Sequence, residues 1–441
     1  MTGLIKRGMN IQNQMLPIDT QNINLAGLNF LAPQVGSIII SDENNMKRTL
    51  LISLGSRGDM EPFLALGEAL SQQGHTVGFC FPAQFEPLAK EVSPHFYPQD
   101  VRFLDLLNRP EVRNILGQVG SVMTRLRAGL SLSKEIQPIQ EQLIFDQEAA
   151  VNAFQPDEVI FHIKCIYPIF WALTSGGNIR VLSPMPCTLN PVKHEPHIGF
   201  GNPGTVFWNL LTYKLAHWAL VHKSILRYGR RFTKERQLKL SANTISQFLH
   251  KEILVEYPIS EELFKRPTYW PKRAQITTFR ERNKQQHYQE DPALLQFLQK
   301  NPLPIFVSFG SMLNAHPEQV GSDLMAIAQT QKIPMIVNTS WGGIKIPHHN
   351  GDWIYEVSDI PYDYIFPKVK AVIHHGGSGT THSALRCKKP QAIIPHLGDQ
   401  FFWNRCIAIE GKGVKGFPIK EWNRSKIENL IAQLRAFPSE N

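Results

Sequence analysis

Short apolar runs of strand length in this chain keep ending in glycine, serine or histidine, and a helical pattern starts at once. No other feature constrains the fold as tightly. Thr49–Leu54 is such a run, and Gly55-Ser56-Arg57-Gly58-Asp59 follows it. Pro62 suits the first turn of a helix, Phe63, Leu66 and Leu70 recur at helical spacing, and Gly74 stands where a C-terminal cap belongs. Thr76–Phe81 reads as the next strand. A run that is apolar throughout fits a strand covered on both faces, as in a parallel sheet. Strand–helix–strand units of this kind build doubly wound sheets. Glu158–Phe161 and Arg180–Ser183 read as later strands of the same sheet.

A second block begins after a basic, proline-punctuated stretch, Lys265–Arg282. Pro304–Phe309 runs into Gly310-Ser311, and Ile333–Asn338 runs into Thr339-Ser340-Trp341-Gly342-Gly343. Ala371–His374 leads to Gly376-Gly377-Ser378-Gly379, and Gln391–Pro395 follows. With 441 residues, the chain is about three times the usual single-domain length. The reading is therefore an α/β protein of two Rossmann-like domains, 47–270 and 271–441, with the crossing near 265–285. Residues 1–46, rich in Asn and Gln and without a sustained period, are expected to be a poorly ordered leader. The stretch 205–232 is helical by period, aromatic on one side, and carries Lys223, Arg227, Arg230 and Arg231 near its end. A core helix with a solvated basic end and an interfacial helix leaning on a membrane both remain open for it.

Composition removes several function classes. Hydrophobic residues make up 42% and charged residues 19%, which sets disordered and fibrous chains aside. The net charge of +9 allows nucleic acid, an anionic membrane surface or an anionic substrate, but no nucleic-acid-binding signature accompanies it. Cys80, Cys165, Cys187, Cys387 and Cys406 form no C-x-x-C pair, so neither a zinc site nor a disulfide framework is expected. No run reaches the roughly 18 apolar residues of a membrane span. Lys6 and Arg7 precede polar residues where a signal peptide needs an apolar core. The expectation is a cytoplasmic chain, with contact at the inner face of a membrane left open.

In open α/β sheets, ligands bind at the carboxyl ends of strands. The strongest tip is His374-His375-Gly376-Gly377-Ser378-Gly379-Thr380-Thr381. Its glycines let backbone N–H groups approach an anion, and the helix start adds roughly half a positive charge. That chemistry suits a diphosphate. His375, Ser378 and Thr380 supply further donors; a tight turn with a satisfied histidine is the plainer alternative. Downstream, Asp399 and Gln400 pair a carboxylate with an amide, a combination that grips sugar hydroxyls. Asp59, after the first glycine turn, can take a proton from an attacking hydroxyl or simply cap its helix. Arg57 can position Asp59 or tie down the loop. No D-x-D acidic pair is present, so no metal is expected.

Together these segments resemble the family 1 glycosyltransferases, which have the two-domain GT-B fold, and above all the sterol 3-β-glucosyltransferase and antibiotic glycosyltransferase branch. The shared segments are Gly55–Asp59, Pro62–Leu66, Gly74-His75, His374–Thr381 and Gly398-Asp399-Gln400. The resemblance implies an N-terminal acceptor domain, a C-terminal UDP-sugar domain, and inverting transfer of a hexose, glucose first, to a hydroxyl of a sterol-like, terpenoid or other lipid. It implies no cofactor beyond the UDP-sugar. By residue, it implies Asp59 as base, and His375, Gly377, Ser378, Gly379, Thr380 and Ser311 at the diphosphate. Asp399 and Gln400 would hold the hexose, and Trp341 with Val357–Pro361 would hold the uracil. The Trp-x-Pro-Gln run of plant members is absent near that last stretch. His162, His194 and His197 fall in segments expected to face the acceptor. The last helix, from Arg424 to Phe437, is expected to cross back onto the first domain. A polyketide-type aglycone or a lipid-linked glycan precursor as acceptor, and a UDP-sugar epimerase, are the alternatives.

Overall fold

The computed structural model describes residues 46–109, 122–200, 204–284, 288–312, 314–339, 342–347 and 352–438. The leader and Trp341 lie outside these residues. Residues Met46–Asn441 form one compact unit, built on two all-parallel sheets. The first contains β1 (Arg48–Ile52), β2 (Thr76–Pro82), β3 (His95–Gln99), β4 (Glu158–Phe161), β5 (Ile179–Leu182), β6 (Leu254–Pro258) and β7 (Ala274–Thr277), in the order β3-β2-β1-β4-β5-β6-β7. The second contains β8 (Ile305–Ser308), β9 (Met335–Asn338), β10 (Ile354–Val357), β11 (Ala371–His374), β12 (Gln391–Ile393) and β13 (Gly413–Val414), in the order β10-β9-β8-β11-β12-β13. Because β7 pairs with β6, the first sheet runs past residue 270, and the crossing follows Thr277.

Side-chain alternation explains why the central strands are mostly apolar. Leu50 and Ile52 of β1 enter one core cluster, and Leu51 between them enters another on the opposite face. β8 repeats the pattern, with Ile305 and Val307 on one face and Phe306 on the other. Each fully buried side chain of this kind contributes about 1.5–3 kcal/mol. Helices cover both faces. The ones that frame the site are α1 (Arg57–Gln72), α2 (Val122–Phe154), α3 (Tyr167–Ser175), α4 (Val206–Ala219), α5 (Pro317–Gln331), α6 (Ser378–Arg386), α7 (Gln400–Ile409) and α8 (Arg424–Ala436).

The stretch expected as one helix over 205–232 is α4, a π-helical turn at Leu220–Ile225 and two shorter helical pieces that meet at Gly229. The last helix does not cross back. Ile427, Leu430, Ile431 and Leu434 of α8 bury themselves in the core of the second sheet. α7 joins the halves instead, because its Phe402, Trp403 and Ile407 belong to the core cluster of the first.

In both sheets the chain winds outward from a central strand in both directions, β1 in one and β8 in the other. Strand order therefore reverses between β1 and β4, and again between β8 and β11. Such reversals leave a crevice at the carboxyl ends of the two strands. The residues after all four strands line a single cleft.

Candidate functional site

The cleft has a volume of about 2020 Å³. Asp59, after β1, and His162 and Lys164, after β4, stand on one wall. Gly310, Ser311 and Met312, after β8, and His375 to Thr380, after β11, stand on the other. The connecting segment Phe279–Lys284 closes one side.

On the first wall, Asp59 lies in the first turn of α1. Its Oδ2 accepts from the backbone N–H of Ser56 at 2.8 Å and from the Ser56 hydroxyl at 3.1 Å. The N-cap is therefore Ser56, and Asp59, at the third helical position, completes its capping box with one oxygen. Oδ1 accepts from Lys164 Nζ at 2.7 Å. Burial pushes the Asp59 carboxyl up, and Lys164, His162 and the Ser56 N–H outweigh it, so the group lies below the usual aspartate range. Gly55 is required here. Its φ is +137°, and a Cβ would meet Asp59 Oδ2 at 2.2 Å and Lys164 Nζ at 3.0 Å.

His162 Nε2 is 3.8 Å from Asp59 Oδ1. Burial, assisted by Lys164 and opposed by Asp59, pulls this histidine down to about 3. Its Nδ1 accepts the Lys164 backbone N–H at 3.1 Å, so the proton of the neutral ring sits on Nε2, toward Asp59. Arg57 pairs with Glu61 at 3.1 Å rather than with Asp59. The cation that positions Asp59 is Lys164, which carries no motif.

On the second wall, α6 begins at the glycine turn. His374 Nδ1 accepts the Gly376 N–H at 3.1 Å and its Nε2 donates to Gln391 Oε1 at 2.9 Å, so Gly376 is spent on the scaffold. Thr381 N–H already donates to the Gly377 carbonyl at 3.0 Å. Between them the N–H groups of Ser378, Gly379 and Thr380 form the open helix start, and no side chain caps it. His375 is held between glycines: a Cβ on Gly310, at φ +53°, would meet its Cε1 at 2.7 Å, and one on Gly377 would meet its Nε2 at 2.6 Å. Its Nδ1 is buried with no hydrogen-bond partner; in the tautomer with the ring proton on Nδ1, donation to a ligand oxygen would remove that cost. Burial, together with His374 and His396, outweighs the backbone of Ser308 beside the ring and holds it neutral, well below the histidine range. The Ser378 hydroxyl reaches across the cleft and donates to the Pro184 carbonyl at 3.2 Å.

Asp399 stands at the start of α7 and accepts from Trp403 Nε1 at 3.2 Å. Burial, helped by the charge of Asp59, pushes it up to about 6 against the indole N–H. The Gln400 carbonyl oxygen is occupied, accepting the N–H groups of His396 at 2.7 Å and Leu397 at 3.0 Å. Gln400 Nε2 rests on the Met312 sulfur at 3.3 Å, a weak acceptor, and is the part of Gln400 left to meet a sugar hydroxyl.

Other expected residues divide. His197 lines the cleft, with Nδ1 accepting the Gly199 N–H at 3.1 Å, and burial pulls it down to about 4. His194, three positions earlier, is exposed and off the cleft wall. Val357 is the last residue of β10 and packs against the second half's core; Asp359, Ile360, Pro361 and Tyr362 form the wall in its place. Two features carried no sequence signal: the Lys164 ammonium, and the connecting segment, whose Lys284 bonds Glu61 of α1 at 2.8 Å and whose Phe279 stacks on His382 at 4.3 Å. Among the described residues, no three His, Cys, Asp or Glu side chains group as metal ligands, and no helix is long and apolar enough to cross a membrane.

Comparison with known proteins adds to this geometry. Residues 49–153 match the glycosyltransferase family 28 N-terminal domain, and residues 345–437 match the erythromycin biosynthesis protein CIII-like C-terminal domain. The chain is similar to the sterol 3-beta-glucosyltransferase UGT80A2 of Arabidopsis thaliana, with 27% identity over 87% of this chain and 60% of that protein. It is similar also to UGT80B1 of the same plant, with 27% identity over 87% of this chain and 62% of that one. The chain thus spans about 60% of the length of these curated relatives. Among solved structures, the calicheamicin glycosyltransferase CalG4 superposes with a TM-score of 0.60 at 16% identity, covering 89% of this chain and 90% of its own. The glycosyltransferase VinC in complex with dTDP gives 0.57 at 16% identity, covering 89% and 92%. These likenesses establish the fold as GT-B.

Proposed function

We infer that this chain, which belongs to the GT-B glycosyltransferases of the sterol glucosyltransferase and antibiotic glycosyltransferase branch, transfers a hexose from a nucleoside diphosphate sugar to a hydroxyl of a hydrophobic acceptor, with inversion. UDP-glucose is the donor this reading takes first. The observation that carries it is the juxtaposition across one cleft of an uncapped helix start and a carboxylate held ionised by Lys164.

The diphosphate meets the N–H groups of Ser378, Gly379 and Thr380 and the unpartnered nitrogen of His375, with Ser311 and the backbone of Gly377 beside them. Asp399 grips the hexose hydroxyls, and Gln400 braces the Pro395–Gly398 loop beneath them. The acceptor hydroxyl attacks the anomeric carbon as the bond from that carbon to the phosphate oxygen breaks. Its proton passes to Asp59, which Lys164 keeps ionised until the hydroxyl becomes acidic in the transition state. The departing diphosphate gathers charge where the α6 amides already point, and no protein nucleophile is needed. Among the described residues no three His, Cys, Asp or Glu side chains group as metal ligands, and the reading includes activity that survives EDTA.

Apolar side chains in the first half, Met185, Leu189, Ile198, Ala219 and Leu220, favour a lipidic acceptor. The names of the sterol glucosyltransferase relatives support a sterol-like alcohol. A polyketide-type aglycone is the second reading, and the likeness to CalG4, named the calicheamicin glycosyltransferase, keeps acceptors other than sterols in view. VinC, with its dTDP, keeps thymine beside uracil as the base. The test is incubation with UDP-glucose or dTDP-glucose and a panel of sterols, terpenoid alcohols and polyketide aglycones. A gain of one hexose mass with stoichiometric nucleotide release supports the reading, and the productive acceptor decides between the classes. Release by hydrolysis alone with every acceptor overturns it.

A further inference from the structure

α4 has two faces with opposite chemistry. At 3.6 residues per turn, Asn209, Thr212 and Tyr213 point inward and are buried, and Ala216 with Leu220 just beyond reaches the cleft wall. The other stripe meets solvent. Phe207 is 70% exposed, Trp208 52%, Leu215 48% and Trp218 50%. A cluster of large aromatic and aliphatic side chains on one helix face is the kind of patch that marks an interaction surface. No described residue covers it.

Charge identifies what would. From Val206 to Ser224 the chain has Lys214 and Lys223 and no Asp or Glu; farther on, Arg231 pairs with Glu235 at 2.8 Å and Arg227 bonds Gln137 at 3.1 Å. Lys214 is exposed in the same turn as Leu215, and Lys223 lies over the Trp218 ring at 5.3 Å. The whole chain carries +9. Aromatic rings flanked by cations and free of acids match the boundary between acyl chains and anionic headgroups.

We propose that the outer face of α4 docks on an anionic lipid bilayer, with Phe207, Trp208, Leu215 and Trp218 entering the interface and Lys214 meeting the headgroups. Docked this way, one helix touches the membrane with its outer face and lines the acceptor half of the cleft with Ala216, His217 and Ala219 and, from its continuation, Leu220, Lys223 and Ser224. That continuation is π-helical, an irregularity common at functional sites. A lipid alcohol would then pass from the bilayer to the cleft without crossing bulk water. The purpose assigned to the contact rests on the lipidic-acceptor reading; the contact itself does not.

Flotation of the full chain with vesicles tests it, using phosphatidylcholine alone or with one-third phosphatidylglycerol. The chain is expected to float with the anionic vesicles and far less with the neutral ones. The double variant Phe207→Ser, Trp208→Ser should lose at least about tenfold in vesicle affinity, and Lys214→Glu should weaken binding to the anionic vesicles alone. Neither touches the cleft, so UDP binding measured by calorimetry should stay at the wild-type value and certifies the fold. Wild type that stays unbound, or a double variant that floats like wild type, overturns the proposal. So does a sedimentation experiment in which wild type is a dimer and the double variant a monomer, since a second copy would then be the occupant. Vesicle binding without any nucleotide binding would leave this contact standing and sink the transferase reading.

Discussion

Gly55→Ala isolates the link between backbone geometry and catalysis. A Cβ at this position would stand 2.2 Å from Asp59 Oδ2, while an ordinary contact is 3.4 Å or more, so the carboxylate must retreat by about 1.2 Å. Misplacement of a catalytic group on the order of 1 Å costs about 100-fold in rate, or about 2.7 kcal/mol of barrier. The φ of +137° is also one that alanine adopts only under strain, which costs about 1–3 kcal/mol of stability. The variant should bind UDP as wild type does, because the donor wall is untouched, and melt a few degrees lower. Its kcat should fall about 100-fold. Steady-state nucleotide release with a productive acceptor, calorimetric UDP binding and a melting curve measure the three quantities. A folded variant that turns over within about twofold of wild type would refute the argument that Asp59 must stand where it does.

Three further outcomes follow from the site. His375→Ala should weaken UDP binding about 10–100-fold, the worth of a hydrogen bond to a charged group, with unchanged affinity speaking against His375 at the diphosphate; calorimetry reads it. Lys164→Met removes the main charge opposing burial of Asp59, so the acid limb of the kcat/KM profile should move to higher pH, and an unmoved limb would remove Lys164 from its positioning role. Asp399, pushed up to about 6, holds its proton more tightly folded than unfolded. The stability this gives is complete below the unfolded value of about 4 and lost as pH rises through about 6. Asp399→Asn should therefore raise stability by about 1–3 kcal/mol at pH near 8 relative to wild type and give no gain near pH 4, with activity reduced at both; equal melting shifts at the two pH values would contradict it.

Much of this architecture is readable from residues because buried parallel strands are apolar on both faces. β1, β4, β8 and β11 announce themselves in that way, and so do the glycine turns after β1, β8 and β11. Strands that lack full burial stay hidden. β3 contains His95, Tyr97 and Pro98 on the sheet edge, where a missing N–H is tolerated, and β13 is two residues long. Lys164 could not be found from a motif, because its role depends on β4 lying beside β1, a fact of strand order. The same holds for His194 and His197, three positions apart in one irregular loop: only the fold decides which faces the cleft. Gln400 was legible as a site residue but not as a brace, since its partners are the backbone N–H groups of a turn that has no period.

The proposed chemistry depends on the open amides at the start of α6 holding the two phosphates of a sugar nucleotide. A crystal structure of the protein soaked with UDP-glucose measures this directly. Diphosphate oxygens should lie within hydrogen-bond distance, about 2.7–3.2 Å, of the backbone nitrogens of Ser378, Gly379 or Thr380 and of His375 Nδ1, with the hexose beside Asp399. Density for the nucleotide elsewhere in the cleft, with those amides still facing water, would contradict it.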